Sequence, residues 1–188
     1  MRIAYTVMGY GRGHAMRSAA VLPALERQHT VRVFAGRDAH EMLRGAHDSI
    51  EIPVIGYQYG VNGRICPRRT LWRNAPRVAD LLAVGPRTRT VWQQMADFEP
   101  NLVISDSETY GHRFARHHAI PRIGFDHVGI MAFCHCDFAP GDALAGRRDG
   151  LGYRAFMGDP DRVIVASFYP ATPRRDTVQL VGPILREQ

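Results

Sequence analysis

The sequence predicts an α/β fold: one parallel β-sheet with helices on both faces. Seven short β-branched runs alternate with longer amphipathic stretches along 188 residues, and no internal repeat or low-complexity tract interrupts them. Histidines and carboxylates fall just after several of these runs, where open parallel sheets bind their ligands.

RIAYTV (2–7) reads as the first strand, and the stretch from Gly13 to about Gln28 as its helix, with Ala19, Ala20, Leu22 and Leu25 at helical spacing. TVRVFAG (30–36) is the second strand, DAHEMLRG a short helix capped by Asp38, and SIEIPVI (49–55) the third strand. YQYGVNGRICP (57–67) is rich in turn residues and reads as a loop. A helical region from about Thr70 to Phe98 breaks near Gly85-Pro86. NLVISD (101–106) is the fourth strand, TYGHRFARHHA its helix, where His117-His118 read as surface and packing, and IPRIGFD (120–126) the fifth strand. The segment 133–156 shows no clean period and carries five glycines or prolines, so it reads as a long irregular insertion. DRVIVASF (161–168) and VQLVG (178–182) complete the strands.

Composition narrows the function classes. All 24 basic residues are arginine and the formal net charge is +6, but arginines and acids interleave along the chain, which argues against nucleic acid as a partner. One basic stretch, Arg64, Arg68, Arg69, Arg73 and Arg77, reads as a solvated face or a surface for an acidic ligand. Three cysteines are too few and too oddly spaced for a disulfide framework, and no signal-peptide pattern or membrane-length apolar run is found. These features predict a cytoplasmic protein without an integral membrane segment. Cys134-His135-Cys136-Asp137 lacks the wider spacing and second ligand pair of a structural zinc site, so no metal is expected there.

The strand ends carry the chemistry. Gly9, Gly11, Gly13 and His14 follow the first strand; Asp106, Ser107 and Glu108 the fourth; Asp126 and His127 the fifth. Two histidines and three carboxylates thus gather on one edge of the sheet. As a dinucleotide loop, GYGRGHAMRS falls one residue short of the G-x-G-x-x-G spacing, although Arg37 after the second strand offers a partner for an NADP 2′-phosphate. In the other reading the glycines let the backbone approach a ligand and aim His14, whose imidazole acts as a base if a carboxylate fixes its tautomer. Asp106 is the candidate partner; a plain helix-capping or solvated role for His14 is the competing reading. Asp106 and Glu108 have the oxygen chemistry for a divalent metal, yet acids two apart are also common at a helix start, where they suit the dipole. No G-x-S-x-G elbow is present, so the hydroxyl to be deprotonated belongs to a substrate.

These motifs resemble the N-terminal, acceptor-binding domain of glycosyltransferases with the two-Rossmann-domain B fold. GYGRGHAMRS is similar to the G-x-G-H-x-x-R-S loop of a bacterial and archaeal branch distantly related to the peptidoglycan N-acetylglucosaminyltransferase and the macrolide glycosyltransferases. EPNLVISDSE resembles the family's P-D-L-V-I-S-D-x-E, with Asn101 for the usual Asp; IPRIGFDHVG resembles I-P-V-I-x-I-D-N-Q, with His127 where Asn is common. VIVASFYP and LVGPILR resemble the last strands and the exit into the interdomain linker. The resemblance implies a Rossmann-like domain over 1–183 and the start of a linker at 184–188. It further implies an inverting transfer in which His14 takes the acceptor proton and Asp106 orients it, with Gly11, Gly13, Arg17, Glu108, Asp126 and His127 lining the substrate. No tightly bound cofactor or essential metal is implied. A nucleotide-diphosphate sugar would be co-substrate through a C-terminal donor domain of the full-length protein, and the acceptor would be a small molecule, a lipid-linked compound or a glycan. Alone, the chain is expected to bind acceptor without completing transfer. The alternatives are a non-catalytic module that binds or sequesters a small molecule, and an NADP-binding domain.

Overall fold

The structure, a computed structural model, describes residues 1–56, 58 and 66–185. The chain runs through β1 (Arg2–Val7), α1 (Arg12–Glu26), β2 (Thr30–Ala35), α2 (Arg37–Leu43) and β3 (Ser49–Glu51). Next come α3 (Pro67–Leu82), α4 (Pro86–Ala96), β4 (Leu102–Asp106), α5 (Thr109–His117) and β5 (Arg122–Asp126). It ends through α6 (Gly129–Phe133), β6 (Cys134–His135), α7 (Ala143–Met157), β7 (Arg162–Ala166), β8 (Thr172–Pro173) and β9 (Val178–Val181).

Seven strands form one sheet in the order β3-β2-β1-β4-β5-β7-β9. Every adjacent pair in it is parallel. Alternation of side chains along each strand sorts the core into two layers. Ile3, Tyr5 and Val7 of β1 pack with Ala15 and Leu22 of α1 and with Ala39 and Leu43 of α2. Ala4 faces the other way, joining Phe34 and Val103 under Leu81, Trp92, Met95, Tyr110 and Phe114 of α3, α4 and α5. Each fully buried large side chain of this kind contributes about 1.5–3 kcal/mol through the hydrophobic effect. A third cluster joins Ala132 and Phe133 of α6 to Val163 and Val165 of β7 and to Val178 of β9.

Several elements differ from the sequence reading. β3 stops at Glu51 instead of Ile55: Ile52 N–H makes a last bond to Ala35 O at 3.0 Å, and Pro53 has no N–H to continue the ladder. α2 begins at Arg37 with Gly36 as its N-cap, so Asp38 sits in the first turn and supplies no cap bond. The helical break near Gly85-Pro86 is present, with the Asp80 carboxylate accepting from the Thr88 N–H and hydroxyl, both at 2.8 Å. The largest difference is α7, fifteen residues of helix inside the segment read as irregular. Its contact face is made of glycine: a Cβ on Gly150 would lie 2.5 Å from Met131 O, and one on Gly146 2.3 Å from the Phe138 ring. Close approach replaces the apolar stripe that periodicity detects. Arg64 and most of the 57–65 loop lie outside the described residues, whereas Arg68, Arg69, Arg73 and Arg77 all sit on α3. The step after β9, residues 182–185, carries no regular secondary structure.

His112 of α5 is fully buried, and neither ring nitrogen has a hydrogen-bond partner among the described residues. Burial, helped by the Arg122 charge, pushes its pKa down to about 3. The ring is therefore neutral in the folded protein at pH values where the unfolded chain protonates it, so stability falls as pH drops below about 6.5. This one group accounts for a loss on the order of 5 kcal/mol by pH 3. His112→Leu is expected to flatten the dependence of unfolding free energy on pH between 6.5 and 3. An unchanged slope in denaturant titrations across that range would refute the assignment.

Candidate active site at the crossover of the sheet

From β1 the chain first builds outward through β2 and β3, then returns to build the other half from β4. The carboxyl ends of β1 and β4 therefore flank the point where the winding direction reverses, the usual position for a ligand crevice. Register fixes what meets there: Val7 pairs with Asp106, and Met8 N–H donates to Asp106 O at 3.0 Å.

The glycine loop connects β1 to α1 in a small space. A Cβ on Gly9 would lie 2.5 Å from the Gly36 backbone, so this residue is set by the close approach of the loops after β1 and β2. Gly11 is the N-cap of α1 at φ +71°, a conformation that disfavours any side chain. Gly13 differs from both: its Cβ would meet nothing within 4 Å, and its φ is not positive. The fold does not require a glycine there.

α1 then presents His14 and Arg17, three residues apart and hence on one helical face, to Asp106. The Asp106 side chain is fully buried, Arg17 is 13% exposed and His14 is 21% exposed. His14 Nδ1 lies 2.7 Å from Asp106 Oδ1, and Arg17 Nε donates to Asp106 Oδ2 at 3.0 Å. Arg17 Nη2 also donates to Oδ1. A carboxylate only accepts, so Nδ1 carries the proton and the His14 Nε2 lone pair remains. The 3.1 Å separation of Arg17 Nη2 and His14 Nδ1 is then two donors converging on one oxygen. Burial works against the Arg17 charge, but Asp106 beside it more than compensates and holds the guanidinium above its ordinary pKa. The guanidinium also lies over the Phe125 ring, 5.6 Å from its centroid.

The other predicted residues have different placements. Glu108 caps α5: its two oxygens accept from Tyr110 N–H at 2.8 Å and Gly111 N–H at 2.7 Å, which commits the carboxylate to the start of the helix. Burial pushes its pKa up to about 7 against these donors. Ser105 holds the turn, its hydroxyl donating to Glu108 O and accepting from Glu108 N–H, while Ser107 takes the left-handed φ of +55°. Asp126 is also committed: Gly129 N–H donates to one oxygen at 2.6 Å, and the Tyr153 hydroxyl of α7 donates to the other. Burial and the nearby Asp106 charge raise its pKa. His127 donates Nδ1–H to Ala166 O at 2.9 Å, leaving its Nε2 as an acceptor. Tyr153, partly buried and held well above its ordinary pKa by desolvation and the Asp126 charge, is the participant the sequence reading missed. Its signal was hidden because α7 itself was not legible.

Arg37, the partner considered for an NADP phosphate, turns to Tyr10, with Nη1 3.4 Å from the Tyr10 hydroxyl. Among the described residues no group of three His, Cys, Asp or Glu side chains is arranged to hold a metal ion, and no helix is long and apolar enough to cross a membrane.

Residues 1–188 match the family model for glycosyl transferase family 1. The chain belongs to that family. No curated protein sequence matches it. Among solved structures, MurG of Acinetobacter baumannii superposes with a TM-score of 0.54 at 15% identity, over 94% of this chain and 44% of that one. The spinosyn forosaminyltransferase SpnP superposes at 0.55 and 14% identity, over 97% and 50% of the two chains. The spinosyn rhamnosyltransferase SpnG, solved in complex with thymidine diphosphate, superposes at 0.54 and 18% identity, over 88% and 45%. At these identities the likeness is one of fold, and the chain spans about half the length of each structure. This family member thus has the architecture of one half of a B-fold glycosyltransferase, as its strand-end motifs led one to expect.

Gly13→Ala separates a fold glycine from a functional one. In the first turn of α1 the substitution is expected to hold or raise stability, by up to about 1 kcal/mol. It is also expected to weaken binding of a ligand that enters beside His14. A drop in the thermal midpoint would show that Gly13 serves the fold.

Proposed function

We propose that this chain is the acceptor-binding half of an inverting, nucleotide-sugar-dependent glycosyltransferase. The observation that carries the reading is the buried Asp106 holding His14 Nδ1 at the crossover of the sheet, with Arg17 fixing the same carboxylate. An acceptor hydroxyl placed at His14 Nε2 gives up its proton there as its oxygen attacks the anomeric carbon. The bond from that carbon to the nucleoside diphosphate breaks with the electron pair leaving on the diphosphate. Asp106 stays ionised and stabilises the imidazolium that forms.

The fates of the neighbouring acids favour this single displacement over a covalent glycosyl intermediate. A retaining route through an enzyme nucleophile needs a free carboxylate beside the sugar. Glu108, Asp126 and Asp106 all have both oxygens engaged by protein donors. Gly11, Gly13 and His127 then line the acceptor, which is a small molecule, a lipid-linked compound or a glycan. The donor is held through a second domain, reached by a linker beginning at 184–188. The thymidine diphosphate bound in SpnG supports a nucleoside diphosphate as the leaving group.

In a protein that carries both halves, His14→Ala is expected to lower kcat about 10²-fold or more, the usual scale for a general base. The thermal midpoint should fall only modestly, because Asp106 loses the His14 donor but keeps both bonds to Arg17. Undiminished turnover would remove His14 from the mechanism.

A further inference from the structure

Beyond the strand ends, the antiparallel β6–β8 ribbon and the start of α7 border a half-open surface cleft of about 380 Å³ lined by His135, Cys136, Asp137, Phe138, Arg147 and Arg174, together with Ala143; both arginines are exposed. The walls are built rather than loose. Cys134 pairs with Pro173 and His135 with Thr172 in the ribbon, Arg174 N–H donates to Phe133 O at 3.0 Å, and the Phe138 ring occupies the space a Gly146 side chain would need. Arg174 Nε donates to Cys134 O at 2.9 Å, which aims the rest of its guanidinium.

The arginines that line the cleft differ from those immediately around it. Around it, Arg148 pairs with Asp149, and Arg154 and Arg175 both pair with Asp159. The two that line the cleft, Arg147 and Arg174, have no ion pair among the described residues, and Arg174 uses only its Nε. Among the described residues Asp137 is the single acid on the wall, so two guanidiniums outweigh it. Cys136 is not a reactive element there, since its Sγ–H points to Ile130 O at 3.4 Å and burial raises its pKa. Forked donors without a partner, around a space of this size, match the geometry of an oxyanion.

α7 carries both a cleft arginine and the tyrosine bonded to Asp126 at the end of β5. Arg147 and Tyr153 are six residues apart on this helix, about 9 Å along its axis, and Tyr153 is the side chain bonded to Asp126. We propose that Arg147 and Arg174, with His135, bind an oxyanion, carboxylate or phosphate, carried by the acceptor whose hydroxyl is presented to His14. This inference rests on the acceptor reading above and names the class of acceptor: an anionic one.

The cleft is tested on this chain alone, without any transfer reaction. Calorimetric titration with inorganic phosphate and, separately, with succinate is expected to show saturable, salt-sensitive binding of at least one. Phosphate alone assigns a phosphate-bearing acceptor, and succinate alone a carboxylate. Arg147→Met and Arg174→Met keep the aliphatic stems and should each weaken binding about tenfold or more, the scale of a lost charge-assisted hydrogen bond. Arg148→Met, next in sequence but paired to Asp149, should leave it unchanged. Absence of saturable binding of either probe at about 10 mM, a concentration that detects even millimolar affinity, overturns the proposal. Equal binding by the Arg147→Met/Arg174→Met double variant, checked for folding by circular dichroism, also overturns it. In a two-domain protein the same variants should raise KM for an anionic acceptor and spare kcat, the opposite of His14→Ala. Transfer that depends on His14 but ignores both arginines would leave the glycosyltransferase reading standing and remove this one.

Discussion

The charge on Asp106 is the constraint around which the crevice is organised. A carboxylate fully buried at the end of a central strand costs several kcal/mol unless it is paired and hydrogen-bonded. Arg17 supplies the countercharge and His14 the remaining donor, and both come from the first turns of α1. That helix can deliver them only if β1 lies beside β4, if Val7 is opposite Asp106, and if the glycine loop turns tightly enough to start α1 at residue 12. The phase of α1 is fixed on its other side, where Ala15, Ser18 and Leu22 are buried against the sheet. Arg17 is thus as necessary to the site as the histidine, although it need never touch a substrate.

Three carboxylates follow strands β4 and β5, and their environments give them three different tasks. Asp106 binds side chains of α1, Glu108 binds the N–H groups of its own helix, and Asp126 binds the Tyr153 hydroxyl and the start of α6. Only the first is coupled to a group that keeps a lone pair at the crevice. In the proposed mechanism the chemistry falls to imidazole nitrogens, His14 Nε2 and His127 Nε2, whose tautomers are set by what their other nitrogens bond. A site of this kind suits proton transfer from a hydroxyl better than nucleophilic attack by the protein itself.

Much of the sheet was legible because its strands are buried and β-branched, and because glycine marks the turns after β1 and β2. The convergence of His14 and Asp106 could be read without the strand order, since parallel strands put all their carboxyl ends on one edge. What the sequence hid depends on distances between elements. Whether Glu108 turns inward or outward is decided by the Ser107 turn at positive φ, which no residue pattern announces. α7 escaped because Gly146 and Gly150 do the packing that leucines do elsewhere, and with it went Tyr153, the partner of Asp126. Glycines read as a sign of irregular chain were in this case the condition for a helix to lie close.

That close approach bears on function. Gly150 sits against the Met131 backbone of α6 and Tyr153 against Asp126 of β5, so α7 is fastened both by packing and by a part-buried hydrogen bond. A helix held at two points on one side cannot easily shift along its axis, since interiors packed at this density yield in discrete steps rather than smoothly. Side chains on its first turns therefore keep a nearly constant separation from the end of β5. Under the proposed reading, a ligand engaging both regions must span that separation, which would make α7 a gauge of acceptor length as well as charge. Rigid spacing of this sort favours transfer by orientation: the base needs only modest strength if the hydroxyl arrives in the same place each time.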